Sequence, residues 1–237
     1  MPIDSHTTEI LACMMRVEQI YASLMYGAAA CGEANLGGKL LYAGELDESG
    51  RALAIAGNIA GAATLAASAD PASLRQAQRD GAIDFLVNSL DEALRILKNE
   101  IRKREPVAVA VSAAPAAVSQ EMLDRGVLPD LLPPQLPSAP DDSCFTLFIA
   151  QGAQRIAFAP SHQTSKFLIW PIPIEFTQRP AAFEALLLEH LPPSDVAAIR
   201  WLRLSSRYLG PQFRRLRSLQ CSEEVASKLI EILGNPL

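Results

Sequence analysis

The sequence predicts an α/β protein built around a doubly wound parallel sheet. Within residues 33–135, five short apolar runs alternate with segments of helical periodicity. Strands that are joined through helices run parallel, and the helices then cover both faces of the sheet. A separate N-terminal helix is predicted in residues 1–32, and a mixed α+β portion in residues 136–237.

Start signals mark the helices that alternate with the strands. Asp70-Pro71 places proline at a first helical position, and Ser89-Leu-Asp-Glu92 is a capping box. Ser49 is the candidate N-cap of the first of these helices. The strands are predicted at residues 39–43, 62–68, 85–87, 106–113 and 130–132.

The two flanking parts have different patterns. Residues 7–30 carry apolar side chains at helical spacing, and their methionine-rich stripe predicts core or a dimer seam rather than a ligand site. Five prolines between residues 129 and 140 predict an extended loop. Beyond it, antiparallel strands are predicted, with residues 151–154 as a hairpin-like connection, and helices are predicted from Pro180 onward. The predicted strands of this portion lie at residues 145–150, 155–159 and 167–172.

Composition narrows the class of protein. With 49% apolar and 20% charged residues the chain is globular, and a net charge of −5 argues against nucleic-acid binding. Four cysteines without a CxxC pair predict reduced thiols in a cytoplasmic protein, with no metal site. The start of the chain lacks a basic signal-peptide region. The most apolar stretch is too short and too interrupted to span a membrane.

Five motifs are spread along the predicted α/β domain. They are Asn35-Leu-Gly-Gly-Lys39, Asp70-Pro71, Arg79-Asp-Gly-Ala-Ile-Asp84, Ser89-Leu-Asp-Glu-Ala-Leu94 and Arg125-Gly-Val-Leu-Pro-Asp130. Together, in their order and spacing, they resemble the central nicotinamide-binding domain of the urocanase (urocanate hydratase) family, and a fainter likeness continues over residues 180–217. The resemblance implies a Rossmann-like fold and descent from an enzyme that adds water to urocanate, using a tightly held NAD as an electrophile.

The departures from that family concern its cofactor site. Its glycine-rich turn is replaced by Ala43-Gly-Glu-Leu-Asp-Glu-Ser-Gly50, which keeps only Gly44 and Gly50. The acid expected to hold a ribose hydroxyl falls on Ser68, and a Gly-Asn pair falls on Ala113-Ala114. The polar loop after the last strand keeps only Gln135. The family's glycine- and histidine-rich catalytic region has no counterpart in this sequence, so no catalytic residue is predicted.

These changes predict weak or absent cofactor binding. Glu45, Asp47 and Glu48 lie where a pyrophosphate meets a helix N-terminus, and two such charges repel a phosphate by about 1 kcal/mol each at 4 Å in water. We therefore expect no cofactor. Residual NAD binding stays open, because Gly44 and Gly50 remain and the loop between them can take another path.

The one concentrated basic feature is a group of six arginines near the C-terminal end. One interpretation is a solvated face paired with Glu184, Glu189 or Asp195; the other is a site for a carboxylate, a phosphate or an acidic partner. In the resembling family a nearby arginine helps to hold the substrate carboxylate, and the resemblance implies that Arg215 or Arg217 is its counterpart. With Arg203 of the same cluster, these are the candidate anion-binding residues. The full set is Arg200, Arg203, Arg207, Arg214, Arg215 and Arg217.

Two functional hypotheses follow. The first is a urocanase-like protein without hydratase activity that serves as a binding or assembly module, as a homodimer, with neither nucleic acid nor membrane as partner. The second is a protein that binds a nucleotide such as NAD, or a small carboxylate, or an enzyme with altered chemistry.

Overall fold

The computed structural model of the protein describes residues 5–134, 143–159 and 165–236. The chain forms two compact units. One unit is Gln19–Ala159, and the other joins Met1–Glu18 to Pro160–Leu237. Helix α1 (Ser5–Ala30) contributes to both. The methionine-rich stripe of α1 is core, because Met14 and Met25 are buried.

The larger unit contains a six-stranded parallel sheet, in the order β3-β4-β2-β1-β5-β6. This confirms the predicted fold class. Its strands are β1 (Leu40–Glu45), β2 (Ala63–Ala67), β3 (Phe85–Val87), β4 (Val107–Val111), β5 (Leu131–Leu132) and β6 (Gln154–Arg155). Its helices after α1 are α2 (Glu48–Ala60), α3 (Pro71–Asp80), α4 (Leu90–Lys103), α5 (Pro115–Asp124) and α6 (Ser143–Ala150).

Helices cover both faces of this sheet. On one face Tyr42, Leu65 and Val109 belong to a core that α4, α5 and α6 complete. On the other face α2 lies so close that a Cβ on Gly57 would come within 2.6 Å of the Thr64 hydroxyl oxygen and 3.0 Å of a Leu41 methyl. Alternate side chains of one strand therefore serve opposite layers, as a doubly wound sheet requires.

Strand order locates the places where such a fold binds ligands. The chain leaves β1 towards β2 and leaves β5 towards β6, which lies in the opposite direction. The chain also leaves the neighbouring strands β2 and β4 in opposite directions along the sheet, from β2 towards β3 and from β4 towards β5. Ligands of open α/β sheets bind outside the carboxyl ends of strands at such switch points. The segment between β1 and α2 lies at the first of them.

The prediction for residues 145–150 was wrong. This apolar run forms helix α6, which buries Cys144 and Phe148 in the core. An apolar run of this length suits a buried strand and a buried helix equally. Residues 151–154 were predicted as a hairpin connection, yet they lead from α6 into β6, which pairs parallel to β5. Of the strand predicted at residues 155–159, only Arg155 is in a strand.

The smaller unit is a two-stranded antiparallel sheet packed against helices. Its elements are β7 (Ser165–Pro171), α7 (Pro180–Glu189), α8 (Val196–Tyr208), β8 (Leu216–Ser222) and α9 (Glu223–Leu233). Leu168 and Trp170 of β7 and Leu219 of β8 share a core with Phe183 and Leu202 of the helices. The strand predicted at residues 167–172 and the helix breaks at Pro192-Pro193 and Gly210-Pro211 are confirmed. Strand β8 contradicts the prediction that this whole region is helical.

Three further findings bear on the class of protein. Across the described ranges, no helix is both long enough and apolar enough to cross a membrane. All four cysteines are free thiols. The same ranges contain no group of three or more histidine, cysteine, aspartate or glutamate side chains placed to hold a metal ion.

Candidate nucleotide site and arginine surface

The N-terminus of α2 is capped by an acid of the chain itself, and a second acid lies just before it. Asp47 is the N-cap residue, and its Oδ1 accepts a hydrogen bond of 2.8 Å from the Gly50 N–H. Oε1 of Glu45 accepts a hydrogen bond of 3.1 Å from the Leu46 N–H. In dinucleotide-binding folds the amides of this turn face the pyrophosphate. Here the Asp47 carboxylate engages the Gly50 amide, and the Leu46 N–H also donates to the Ala67 carbonyl oxygen at 3.0 Å. The predicted N-cap, Ser49, lies instead within the first turn of α2.

Packing explains why the two glycines of this turn remain. Gly44 has φ = +73° and follows a shift in the β1–β2 register between Tyr42 and Gly44. That conformation suits glycine, because other residues are strained there. A Cβ on Gly50 would lie 1.9 Å from the carbonyl oxygen of Glu45. Both glycines are therefore required by the path of the chain, whether or not a nucleotide binds.

Ser68 lies directly after β2, where dinucleotide-binding folds carry an acid that binds the ribose. It is buried, and its N–H donates to the Val111 carbonyl oxygen at 3.2 Å. Its hydroxyl oxygen accepts a hydrogen bond of 3.2 Å from the Asp70 N–H. Asp70 caps α3, and hydrogen bonds from the Ala72 N–H and the side chain of Ser73 lower its pKa. Asp70, the acid at this edge of the sheet, thus serves as the N-cap of α3.

Helix α5 begins without the side-chain cap that α2, α3 and α4 have. Its N-cap is Ala114, which makes no side-chain cap hydrogen bond, and Pro115 is the first helical residue. Side chains cap the three preceding helices: Asp47 on α2, Asp70 on α3 and Ser89 on α4. Gln135, the remnant of the family's polar loop, lies outside the described residues.

The arginine cluster divides into buried and exposed members. Arg217 of β8 is 5% exposed, and its Nε and Nη2 each lie 2.7 Å from Oε1 of Glu184 on α7. Its Nη1 donates to the carbonyl oxygens of Leu216 at 2.7 Å and Arg214 at 3.2 Å. All three nitrogens of Arg217 thus have partners. The other two candidates, Arg203 on α8 and Arg215 before β8, are exposed.

A buried acid, Glu18 of α1, escaped the sequence reasoning. It is 6% exposed, and burial raises its pKa from 4.5 to about 7. With the Gln220 amide nitrogen turned towards it, that nitrogen lies 2.5 and 3.1 Å from the two carboxylate oxygens. The amide oxygen then accepts a hydrogen bond of 3.1 Å from the Ser165 hydroxyl. The signal in the sequence was the position of Glu18, four residues after Met14 in the apolar stripe.

Fold and site together define a Rossmann-like α/β protein whose turn between β1 and α2 carries acids. The family model described as the Urocanase Rossmann-like domain matches residues 17–141, which is more than half of the chain. The protein therefore belongs to the urocanase family. The resemblance stated from the sequence is confirmed, and the match includes β1 to β5 with the helices between them.

Proposed function

We propose that this urocanase-family protein does not hold NAD in the family's manner and that it acts as a binding or assembly module. The observation that supports the proposal is the cap of α2, where Asp47 accepts the Gly50 N–H at 2.8 Å. A pyrophosphate at this helix end needs the same amides and the same positive end of the helix dipole. An internal carboxylate satisfies both at lower entropic cost than a free ligand.

Charge and the ribose position support the same proposal. Glu45 and Asp47 are exposed at the turn, so a pyrophosphate there meets repulsion of about 1 kcal/mol from each carboxylate at 4 Å in water. Ser68 replaces an acid that would contribute a charge-assisted hydrogen bond of about 1.5–3 kcal/mol. Together these losses amount to several decades in the dissociation constant. The residues present do not fit the dinucleotide.

Binding measurements test the loss of NAD. We expect NAD at millimolar concentration to leave the thermal midpoint of the purified protein unchanged, since a ligand at 100 times its dissociation constant adds about 2.7 kcal/mol of stability. Glu45→Gln with Asp47→Gly removes both charges and uncovers the Gly50 N–H, and this variant should gain affinity for inorganic pyrophosphate. The control Glu121→Gln with Asp124→Asn removes equal charge from exposed positions on α5 and should gain none.

Measurements of NAD binding and of urocanate consumption can each contradict the proposal. Saturable NAD binding by the unmodified protein in a calorimetric titration contradicts it. Sustained consumption of urocanate in the presence of NAD contradicts it as well. Stabilisation by a different nucleotide or by a small carboxylate would favour the second hypothesis, a ligand-binding protein with altered chemistry.

The assembly role includes a homodimer. Among the described residues β3 is an edge strand that pairs with β4 alone, and it exposes Phe85 (49%) and Leu86 (37%). Exposed apolar edge strands favour association with another chain. Sedimentation at several concentrations should show a dimer that Phe85→Lys weakens; a strict monomer removes this part of the proposal. Free thiols at all four cysteines suit a reducing compartment, and we place the protein in the cytosol.

A further inference from the structure

The segment of residues 196–222 has an unusual charge distribution. It contains six arginines, no lysine and no acid, in a chain whose net charge is −5. It comprises α8, the following 3₁₀ turn Pro211–Phe213 and β8. Acids lie on either side of it, at Asp195 and Glu223. Arg217 is buried and paired with Glu184, and the exposed arginines that remain mark the surface of this segment as a site for an anionic partner.

Four of these arginines are available to a partner. They are exposed, and within the described residues none of them forms an ion pair. We call the four the arginine surface: Arg203, Arg207, Arg214 and Arg215. The guanidinium of Arg207 lies 5.1 Å from the centre of the Tyr208 ring. Arg217 is not part of this surface, because Glu184 and two carbonyl oxygens occupy its donors.

The backbone beneath the arginine surface is held in place. Arg203 and Arg207 are four residues apart on α8, so they are neighbours on one helical face. The carbonyl oxygen of Arg214 accepts a hydrogen bond of 3.2 Å from Arg217, and that of Arg215 accepts one of 2.8 Å from the Ile172 N–H. A fixed backbone lowers the entropic cost of binding.

The chemistry favours carboxylates of a protein over a nucleic acid. Guanidinium groups bind carboxylates and phosphates through paired hydrogen bonds. Proteins that bind single-stranded nucleic acid also stack bases on exposed aromatic rings. In this segment Trp201 and Phe213 are both 2% exposed, and Arg207 lies over the ring of Tyr208. The segment thus supplies cations without a free stacking platform.

We propose that the arginine surface binds an acidic polypeptide segment of a partner protein. The proposal rests on the proposed function, since it names the class of partner for the binding module. It assigns to Arg203 and Arg215 the recognition of carboxylates, and to Arg217 the support of the backbone beside them. Association should be fast and strongly dependent on salt, because exposed charges act mainly through steering.

A peptide titration with the full chain tests the proposal. The probe is a fluorescein-labelled peptide of ten glutamates, followed by fluorescence anisotropy at low salt, with a glycine-serine peptide of equal length as the neutral comparison. We expect saturable binding of the acidic peptide alone, and a loss of affinity of about tenfold or more for Arg203→Glu with Arg215→Glu. The matched control is Arg75→Glu with Arg79→Glu, at two exposed arginines of α3, and it should bind as the unmodified protein does.

Three outcomes of the titration count against the proposal. Absence of binding, or equal loss in the α3 control, overturns it. Tighter binding of a ten-nucleotide oligothymidylate than of the peptide assigns the surface to nucleic acid instead. If the glutamate variant does not fold, Arg203→Gln with Arg215→Gln must weaken binding and flatten the salt dependence. NAD titration of the same samples reports on the proposed function separately, because the variants leave the turn between β1 and α2 unchanged.

Discussion

The carboxylate of Asp47 accepts a hydrogen bond from the backbone N–H of Gly50 across the first turn of α2, at 2.8 Å. This contact links the acidic turn between β1 and α2 to the stability of the fold. The chain satisfies with its own side chain a helix terminus at which dinucleotide-binding folds hold a pyrophosphate. The consequences for stability and binding can be measured separately.

Loss of the Asp47 cap should destabilise the protein. Asp47→Ala leaves the Gly50 N–H without its partner, and we expect a loss of about 1 kcal/mol in the free energy of unfolding. Asp47→Asn keeps a side-chain oxygen for the cap and should cost less. Urea denaturation measures both. Equal stability of the alanine variant and the unmodified protein would show that the cap contributes nothing.

Gly50 should tolerate no side chain. In Gly50→Ala the new Cβ meets the Glu45 carbonyl oxygen at 1.9 Å, so β1 and α2 must separate, and we expect a loss of about 3 kcal/mol or more. Gly27→Ala in α1 is the matched control, because a Cβ there has open space. It should be neutral or stabilise by about 0.5–1 kcal/mol. Thermal and urea denaturation compare the two, and equal effects would contradict this packing.

Glu18 should make stability fall with rising pH. Its pKa is about 7 in the folded chain against 4.5 as the ordinary value. Below pH 4.5 both states hold the proton. Between pH 4.5 and 7 the unfolded chain releases it first, so stability decreases by about 3 kcal/mol in total and then stays level.

The comparison of Glu18→Gln with the unmodified protein isolates this effect. The variant should lack the decrease, while Glu9→Gln, at an exposed position of the same helix, should retain it. Urea denaturation at a series of pH values provides the measurement. A pH profile that Glu18→Gln does not alter would mean that the folded carboxyl titrates as it does in water.

The Arg217–Glu184 pair should show strong coupling. Both Nε and Nη2 of Arg217 lie 2.7 Å from one oxygen of Glu184, and Arg217 is buried. Glu184→Leu leaves the buried guanidinium of Arg217 without its partner and should cost about 3–5 kcal/mol, whereas Arg217→Met leaves the partly exposed Glu184 and should cost less. The double variant should be much closer to the unmodified protein. A double-mutant cycle measures the coupling, and additive losses would contradict it.

Local signals predicted much of the larger unit. Proline at the first position of α3 and the capping box of α4 lie where the sequence placed them, because these signals act within one helical turn. Alternation of strands and helices was enough to predict a parallel sheet covered on both faces. Residues 145–150 failed, since an eight-residue apolar helix and a buried strand have the same pattern.

The position of the candidate site, the turn between β1 and α2, could be predicted from the sequence, but its hydrogen bonds could not. The replacement of the glycine-rich turn by acids was visible in the sequence, whereas the choice of Asp47 over Ser49 as N-cap was not. Strand β8 was missed because its sequence, Leu-Arg-Ser-Leu-Gln-Cys-Ser, has serine and arginine among its apolar residues and lacks β-branched ones. Its pairing with β7 stabilises a strand that local propensity does not favour.

The sequence by itself determined the α/β class, the order of the elements from β1 to β5 and the acidic character of the turn between β1 and α2. These depend on periodicity and on residue types within a few positions of one another. Only the tertiary structure decided that Arg217 is buried against Glu184 while Arg203 and Arg215 stay exposed, and that Glu18 is enclosed beside Gln220. Burial and ion pairing depend on residues far apart in the chain, and no local pattern specifies which of them meet.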